Sequence, residues 1–396
     1  MASIRLSLSA FLCALPSALG ANLLVSHYSG NLYSLSLTTS GETGTLAIKQ
    51  TLKAGGLWPS WLTLDSESGS LYVTDESSWG SPILSQLSVA DDGTISPVAT
   101  ARVSGGDLHS TLYGGSDGKG FIAGAEYDPS SISTWKLPLS ASSQPTQKLT
   151  FTMSGPGPVP SRQNKPHPHS VFPDPTGKFL LSADLGADLI RVFSIDAATG
   201  ELTSCANVAT GPGDGPRHGA WWVPGAGSTG GTTMLYVANE LANSVTVWTV
   251  GYPAGGNCLE LKKTQSLSTY PAGQAAPRDS KAAEVRVAGN SLYAANRNDR
   301  SFGPTTDSVA TYAIDPATGA VAFVEATSAY TFFPRTFEIN RAGDMVAFGG
   351  QTSSTVAVVA RNTTTGRLGP LIAQLQVGTP GTVNNEDGLS HVIWHE

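Results

Sequence analysis

Pro166-His167-Pro168-His169-Ser170-Val171-Phe172-Pro173-Asp174-Pro175-Thr176-Gly177-Lys178-Phe179-Leu180-Leu181-Ser182-Ala183-Asp184 reads as two short strands joined by a tight turn. The apolar runs are strand-length, and Asp-Pro-Thr-Gly between them supplies the turn chemistry. Antiparallel pairing brings His169, which opens the first strand, and Asp184, which closes the second, to the same end of the hairpin. The second strand of this unit recurs seven times: Leu23-Leu24-Val25, Leu71-Tyr72-Val73, Phe121-Ile122-Ala123, Phe179-Leu180-Leu181, Leu235-Tyr236-Val237, Leu292-Tyr293-Ala294 and Met345-Val346-Ala347. Copies lie about 48 to 58 residues apart, the period of a four-stranded blade.

A third strand follows many copies, as in Ser244-Val245-Thr246-Val247-Trp248, and then a turn that opens on Asp or Asn and closes on Gly. Asp196-Ala197-Ala198-Thr199-Gly200, Asp315-Pro316-Ala317-Thr318-Gly319 and Asn362-Thr363-Thr364-Thr365-Gly366 are of this kind. The first copy has no inner strand before it, whereas Ser390-His391-Val392-Ile393-Trp394-His395 resembles an inner strand with nothing after it. The expectation is an all-β, seven-bladed β-propeller in which the C-terminal strand completes the N-terminal blade and so removes exposed sheet edges.

Composition agrees. The chain has 396 residues, 40% hydrophobic and only 13% charged, with 44 Gly and 25 Pro, and no long helical periodicity. Residues 1–20 carry one base, Arg5, an apolar run from Leu6 to Leu15, and small residues at Ala18 and Gly20. That pattern predicts a secretory leader, with residues 21–396 as one exported domain that has no membrane span. A net charge of −7 argues against nucleic acid as a partner. Cys13 would leave with the leader. Cys205 and Cys258 could then pair in an oxidising compartment, a bridge worth about 4 kcal/mol for a loop of this length. Asn362-Thr363-Thr364 is a glycosylation sequon in a turn.

Counting six residues along each second strand gives Tyr28, Glu76, Glu126, Asp184, Glu240, Arg297 and, past an extra Gly, Gln351. The inner strands open with Ser60, His109, His169, Arg217-His218, Glu284, Arg335 and His391. These positions are expected to share one mouth of the central channel, where crowded ionisable groups perturb one another's pKa values as proton transfer requires. Other motifs carry less. Gly114-Gly115-Ser116-Asp117-Gly118 has the form of a nucleophile elbow but sits in a strand-to-strand turn. Gly211-Pro212-Gly213-Asp214-Gly215-Pro216 leads into a strand, with no helix N-terminus to hold phosphate. His167 and His169 have the spacing of two metal ligands, but no third is fixed by sequence.

Pro166-His167-Pro168-His169-Ser170, Ser182-Ala183-Asp184-Leu185-Gly186-Ala187-Asp188, Gly213-Asp214-Gly215-Pro216-Arg217-His218, Asn239-Glu240-Leu241, Ala295-Asn296-Arg297 and Phe333-Pro334-Arg335 together resemble the seven-bladed propeller lactonases. That family includes bacterial 6-phosphogluconolactonases and fungal carboxy-cis,cis-muconate lactonizing enzymes. The resemblance runs from about residue 22 to the end. It implies a metal-independent and cofactor-free site built from His169, Arg217, Glu240 and Arg297. The guanidiniums would hold a carboxylate or an oxyanion, and His169 or Glu240 would act as base. His167, Asp184, His218, Arg335, Glu126 and Glu76 are the expected substrate-binding neighbours. The partner would be a small lactone or organic acid, and the protein a monomer. Lactone hydrolysis is the leading reading, with muconate-type cycloisomerisation and a non-catalytic carbohydrate- or protein-binding propeller as alternatives.

Overall fold

The computed structural model describes residues 19–225, 232–255 and 257–396. The expected leader, with Cys13, lies outside the described residues except for Leu19 and Gly20. Those two already belong to a strand, Leu19–His27. Among the described residues there is no helix, and the strands form seven antiparallel sheets.

The opening hairpin pairs Pro168–Pro173 with Phe179–Asp184. The Asp174 carboxylate closes its turn by accepting the backbone N–H groups of Thr176, Lys178 and Phe179. Blade one begins with Pro59–Asp65 and blade two with Asp107–Tyr113. The hairpin is blade three, and blades four, five and six begin with Pro216–Trp222, Lys281–Ala288 and Pro334–Ile339. Blade seven is composite: Leu389–His395 from the C-terminus pairs with Leu19–His27 from the N-terminus, Leu23 opposite Trp394 and Val25 opposite Val392. The anticipated closure is present.

The apolar residues fall into seven buried clusters, one at each junction between neighbouring blades. Every second and third strand is therefore buried on both faces, which explains why Leu-Tyr-Val runs dominate them over alternating patterns. The Asx-to-Gly turns are docking points between blades. Tyr113, Tyr236 and Tyr293 donate their phenol O–H groups to the carbonyls of Gly200, Gly319 and Gly366, at 2.7, 2.8 and 2.5 Å. All three glycines have positive φ, and a Cβ on Gly319 would run into Met234.

Cys205 and Cys258 form a disulfide joining the outer parts of blades three and four. Asn362 is exposed, and its side-chain oxygen accepts the Thr364 and Thr365 amides.

Two outcomes follow from this architecture. Deleting residues 389–396 removes the inner strand of blade seven and should abolish the cooperative thermal transition, as followed by circular dichroism. Gly319→Ala should destabilise by about 1–3 kcal/mol through backbone strain, with the Met234 clash added, as a lowered calorimetric midpoint shows.

Candidate functional site

Each inner strand enters the ring through a local break in pairing. The register slips between Pro168 and Ser170, Pro216 and His218, and Pro334 and Thr336, leaving His169, Arg217 and Arg335 as the extra residues. A bulge of this kind re-aims the side chain it carries. Here it turns His169 and Arg335 towards one cavity and Arg217 against Glu240.

The ends of the second strands supply the facing groups, one residue later than simple counting indicates in two blades. Asp75, Glu126, Asp184 and Asn239 are the equivalent last paired residues, opposite Pro59, Asp107, Pro168 and Pro216. The residue after each donates its backbone N–H to the loop entering the same blade: Glu76 to Trp58, Tyr127 to Gly106, Leu185 to His167 and Glu240 to Gly215, at 2.7–3.0 Å. Counting from Phe121 and Phe179 starts one residue early. Because side chains alternate with period two, that shift moves Glu126 and Asp184 away from the mouth. Asp184 instead accepts the amides of His167 and Ala187 and pairs with Arg191. Glu126 is bonded to the hydroxyls of Ser131 and Ser133. Neither lines the cavity, and the mouth position of blade two belongs to Tyr127.

At the centre is Glu240, 1% exposed. Its Oε2 accepts Arg297 Nη2 at 2.6 Å and Arg217 Nε at 3.1 Å, while Oε1 pairs with Arg162. Burial pulls this carboxyl's pKa upward, but the guanidiniums of Arg162, Arg297 and Arg217 outweigh it and hold the net value well below the usual carboxylate range. Glu240 is thus a permanent anion with both oxygens engaged, and a weak base. Burial, with Arg297 and Arg335 nearby, lowers Arg217 to about 9, so it stays charged at neutral pH.

His169 has the opposite character. Burial first, then Arg217 and His218, push its pKa well below the ordinary imidazole value. Its Nδ1 is buried with no hydrogen-bond partner among the described residues. The imidazole is therefore neutral at neutral pH and keeps a lone pair for a proton, while the cations beside it lower its basicity.

These groups border a cavity of about 740 Å³. His169, Glu240, Arg297, His167, Arg335 and Glu76 all line it. Arg217 lies behind Glu240. The His167 ring is committed, with Nδ1 near the Tyr127 carbonyl, Nε2 near Asn164 Oδ1, and its face stacked on Tyr127. Arg335 pairs with Glu76, which also accepts the Tyr28 phenol.

His218 sits one layer deeper, against Glu284 at 2.9 Å. There Trp61 is stacked between His391 and His109, with ring centroids 3.7 and 4.0 Å away, and His218 meets both Trp61 and His169 edge-on. These buried rings fill the channel below the cavity. A separate hollow of about 230 Å³, bordered by Thr111, Phe172 and Arg286, opens beyond them.

Sequence reasoning did not find Arg162, Lys281, Trp58 or Trp79 as cavity residues. Arg162 comes from residues 151–166, which have no counterpart in the repeat. Lys281 is lowered to about 8, by burial and by Arg297 and Arg162 against the pull of Glu240. The remaining motifs are accounted for structurally. The amides of Gly213 and Gly215 are taken by the Asp188 carboxylate at 2.6 and 2.8 Å, and residues 114–118 turn between two strands of blade two. Among the described residues no three His, Cys, Asp or Glu side chains converge as metal ligands.

Similarity to known proteins bears on this geometry. A family model described as "Lactonase, 7-bladed beta-propeller" matches residues 22–385. A protein of Arthroderma benhamiae named "Probable 6-phosphogluconolactonase" is 33% identical over 318 residues, 79% of this chain and 76% of that one. The 6-phosphogluconolactonase of Bacillus subtilis is 26% identical over 261 residues, 66% and 68% of the two chains. The periplasmic gluconolactonase PpgL of Pseudomonas aeruginosa superposes with a TM-score of 0.75 at 24% identity, over 95% of this chain and 99% of that one, a likeness of fold. The chain belongs to the seven-bladed β-propeller lactonase family.

Proposed function

We propose that this protein is an exported lactone hydrolase that opens the cyclic ester of a sugar acid at the channel mouth. The observation that carries the reading is the placement, in one cavity, of the His169 imidazole, which burial keeps neutral, beside the Arg297–Glu240–Arg162 ion cluster. The relatives named as lactonases favour hydrolysis over ring closure.

In this mechanism His169 accepts a proton from water as the water oxygen bonds to the lactone carbonyl carbon. The carbonyl oxygen becomes an oxyanion, which the cavity-facing guanidiniums of Arg297 and Arg162 stabilise. When the intermediate collapses, the bond from the carbonyl carbon to the ring oxygen breaks. The imidazolium returns its proton to the departing alkoxide, giving the hydroxy acid. Arg217 does not reach the cavity, so it positions Glu240. Glu240 in turn fixes the guanidinium planes, a preorganisation that costs nothing at the moment of reaction.

Export is supported by the leader-like composition of residues 1–20 and by the Cys205–Cys258 bridge, since disulfides persist in oxidising compartments. Exposed Asn362 suits a glycan, because its oxygen makes the turn and its amide nitrogen is left for the sugar.

Acid release from a panel of sugar lactones tests the reading, and a wild-type protein that releases none above the uncatalysed rate would remove it. Arg297→Ala should lower kcat/KM by roughly 10²-fold or more, as loss of an oxyanion donor does. His169→Gln should cost about 10²–10⁴-fold. The pH profile gives an independent check. His169 is active when neutral and its pKa lies below the ordinary value of about 6.5. Activity should therefore persist at pH 6.5 and fall only as acidification passes the lowered pKa. A limb centred at or above 6.5 would exclude His169 as the base.

A further inference from the structure

We propose that Trp58 and Trp79 form a subsite for a second sugar ring, so that the lactone taken by this protein carries a pyranosyl substituent. The inference rests on the lactonase reading for which end of the ligand reacts, but not for the existence of the subsite.

Trp79 is 53% exposed, whereas seven-bladed packing buries most of the other large rings. It is not a stray surface residue, because both it and Trp58 border the cavity. The two indoles meet nearly at right angles, with centroids 4.1 Å apart, and Trp58 is in turn edge-on to Tyr28 at 6.1 Å. This chain of contacts holds Trp79 in place while leaving much of its surface to solvent. A fixed and exposed aromatic is a large apolar surface kept wet, and such surfaces mark binding sites.

Its position in the ring matters. Both tryptophans belong to blade one, while His169, Glu240 and Arg297 come from blades three, four and five, across the mouth. A lactone held at the reacting groups would direct its far end towards the indoles. The cavity volume lies in the range that receives drug-sized ligands of roughly 300–1,000 Å³, more than one six-membered ring occupies.

Charge selects among possible far ends. Glu76 and Glu386 border the cavity on this side, and of the cations near them Arg335 is already paired with Glu76 and Lys281 donates to Asn384 Oδ1. A phosphate would meet two carboxylates. A neutral pyranose offers an apolar C–H face to the indole and hydroxyl donors to Glu76, Glu386 and Ser78, which matches the lining on each edge.

The test compares kcat/KM for glucono-δ-lactone and for the δ-lactone of a β-glucosyl gluconic acid. Wild type should prefer the disaccharide lactone, and Trp79→Ala should reduce that preference about tenfold, the scale of one lost aromatic contact. Trp79→Phe, which keeps a ring, should retain most of it. Equal preference in wild type, or equal losses in Trp79→Ala and Trp79→Phe, would overturn the subsite while leaving hydrolysis intact. Titration with the unreactive disaccharide, read by tryptophan fluorescence, separates the two readings. Saturable quenching that Trp79→Ala abolishes supports the subsite even if no lactone is turned over. Quenching by an aryl alcohol but not by the disaccharide would overturn the assignment to sugar.

Discussion

The hydrogen bonding of Leu389–His395 to Leu19–His27 is the constraint on which the molecule depends. Each blade is a wedge with two apolar faces, and a wedge without a neighbour on either side exposes a face it cannot solvate. Pairing the chain's last strand with its first described one leaves no terminal wedge. It also places His391 between Leu62, whose amide it accepts, and Trp61, on which it stacks. The closing strand thus contributes to the channel as well as to the ring.

Closure in turn makes the charge cluster possible. Arg162, Arg217, Glu240 and Arg297 come from blade four, blade five and the segment before blade three. None of these contacts is local in sequence. A carboxylate this buried would be expelled or protonated if it were alone. Three guanidiniums keep it charged, and in exchange it keeps them close together despite their mutual repulsion. Removing Glu240 would therefore leave buried cations facing one another, so that substitution alone would not separate a part in the proposed chemistry from a part in folding.

Architecture was legible in the sequence because the repeat is read from spacing. The Leu-Tyr-Val runs, the Asx-to-Gly turns and the split terminal blade each have a direct structural counterpart. His169, Glu240, Arg297, Arg335 and Glu76 were legible too, since strand ends are set by antiparallel pairing. Glu126 and Asp184 failed for a definite reason: an aromatic residue one place ahead of the usual Leu, Phe121 or Phe179, hid a single-residue phase difference. Arg162 was beyond reach, because its segment has no repeat to align with and it arrives at Glu240 through tertiary folding alone. The charge states of His169 and Glu240 also depend on tertiary neighbours, which spacing does not reveal.

The layer of Trp61, His109, His218 and His391 under the cavity has a consequence for turnover. Among the described residues these rings stand between the cavity and the hollow on the other side, so a molecule that enters the cavity leaves by the mouth it came in by. On the proposed reading, the hydroxy acid would withdraw past Arg297 and Arg162, whose charge favours an anion, before another molecule enters. Exchange at such a blind cavity is two-way through a single mouth.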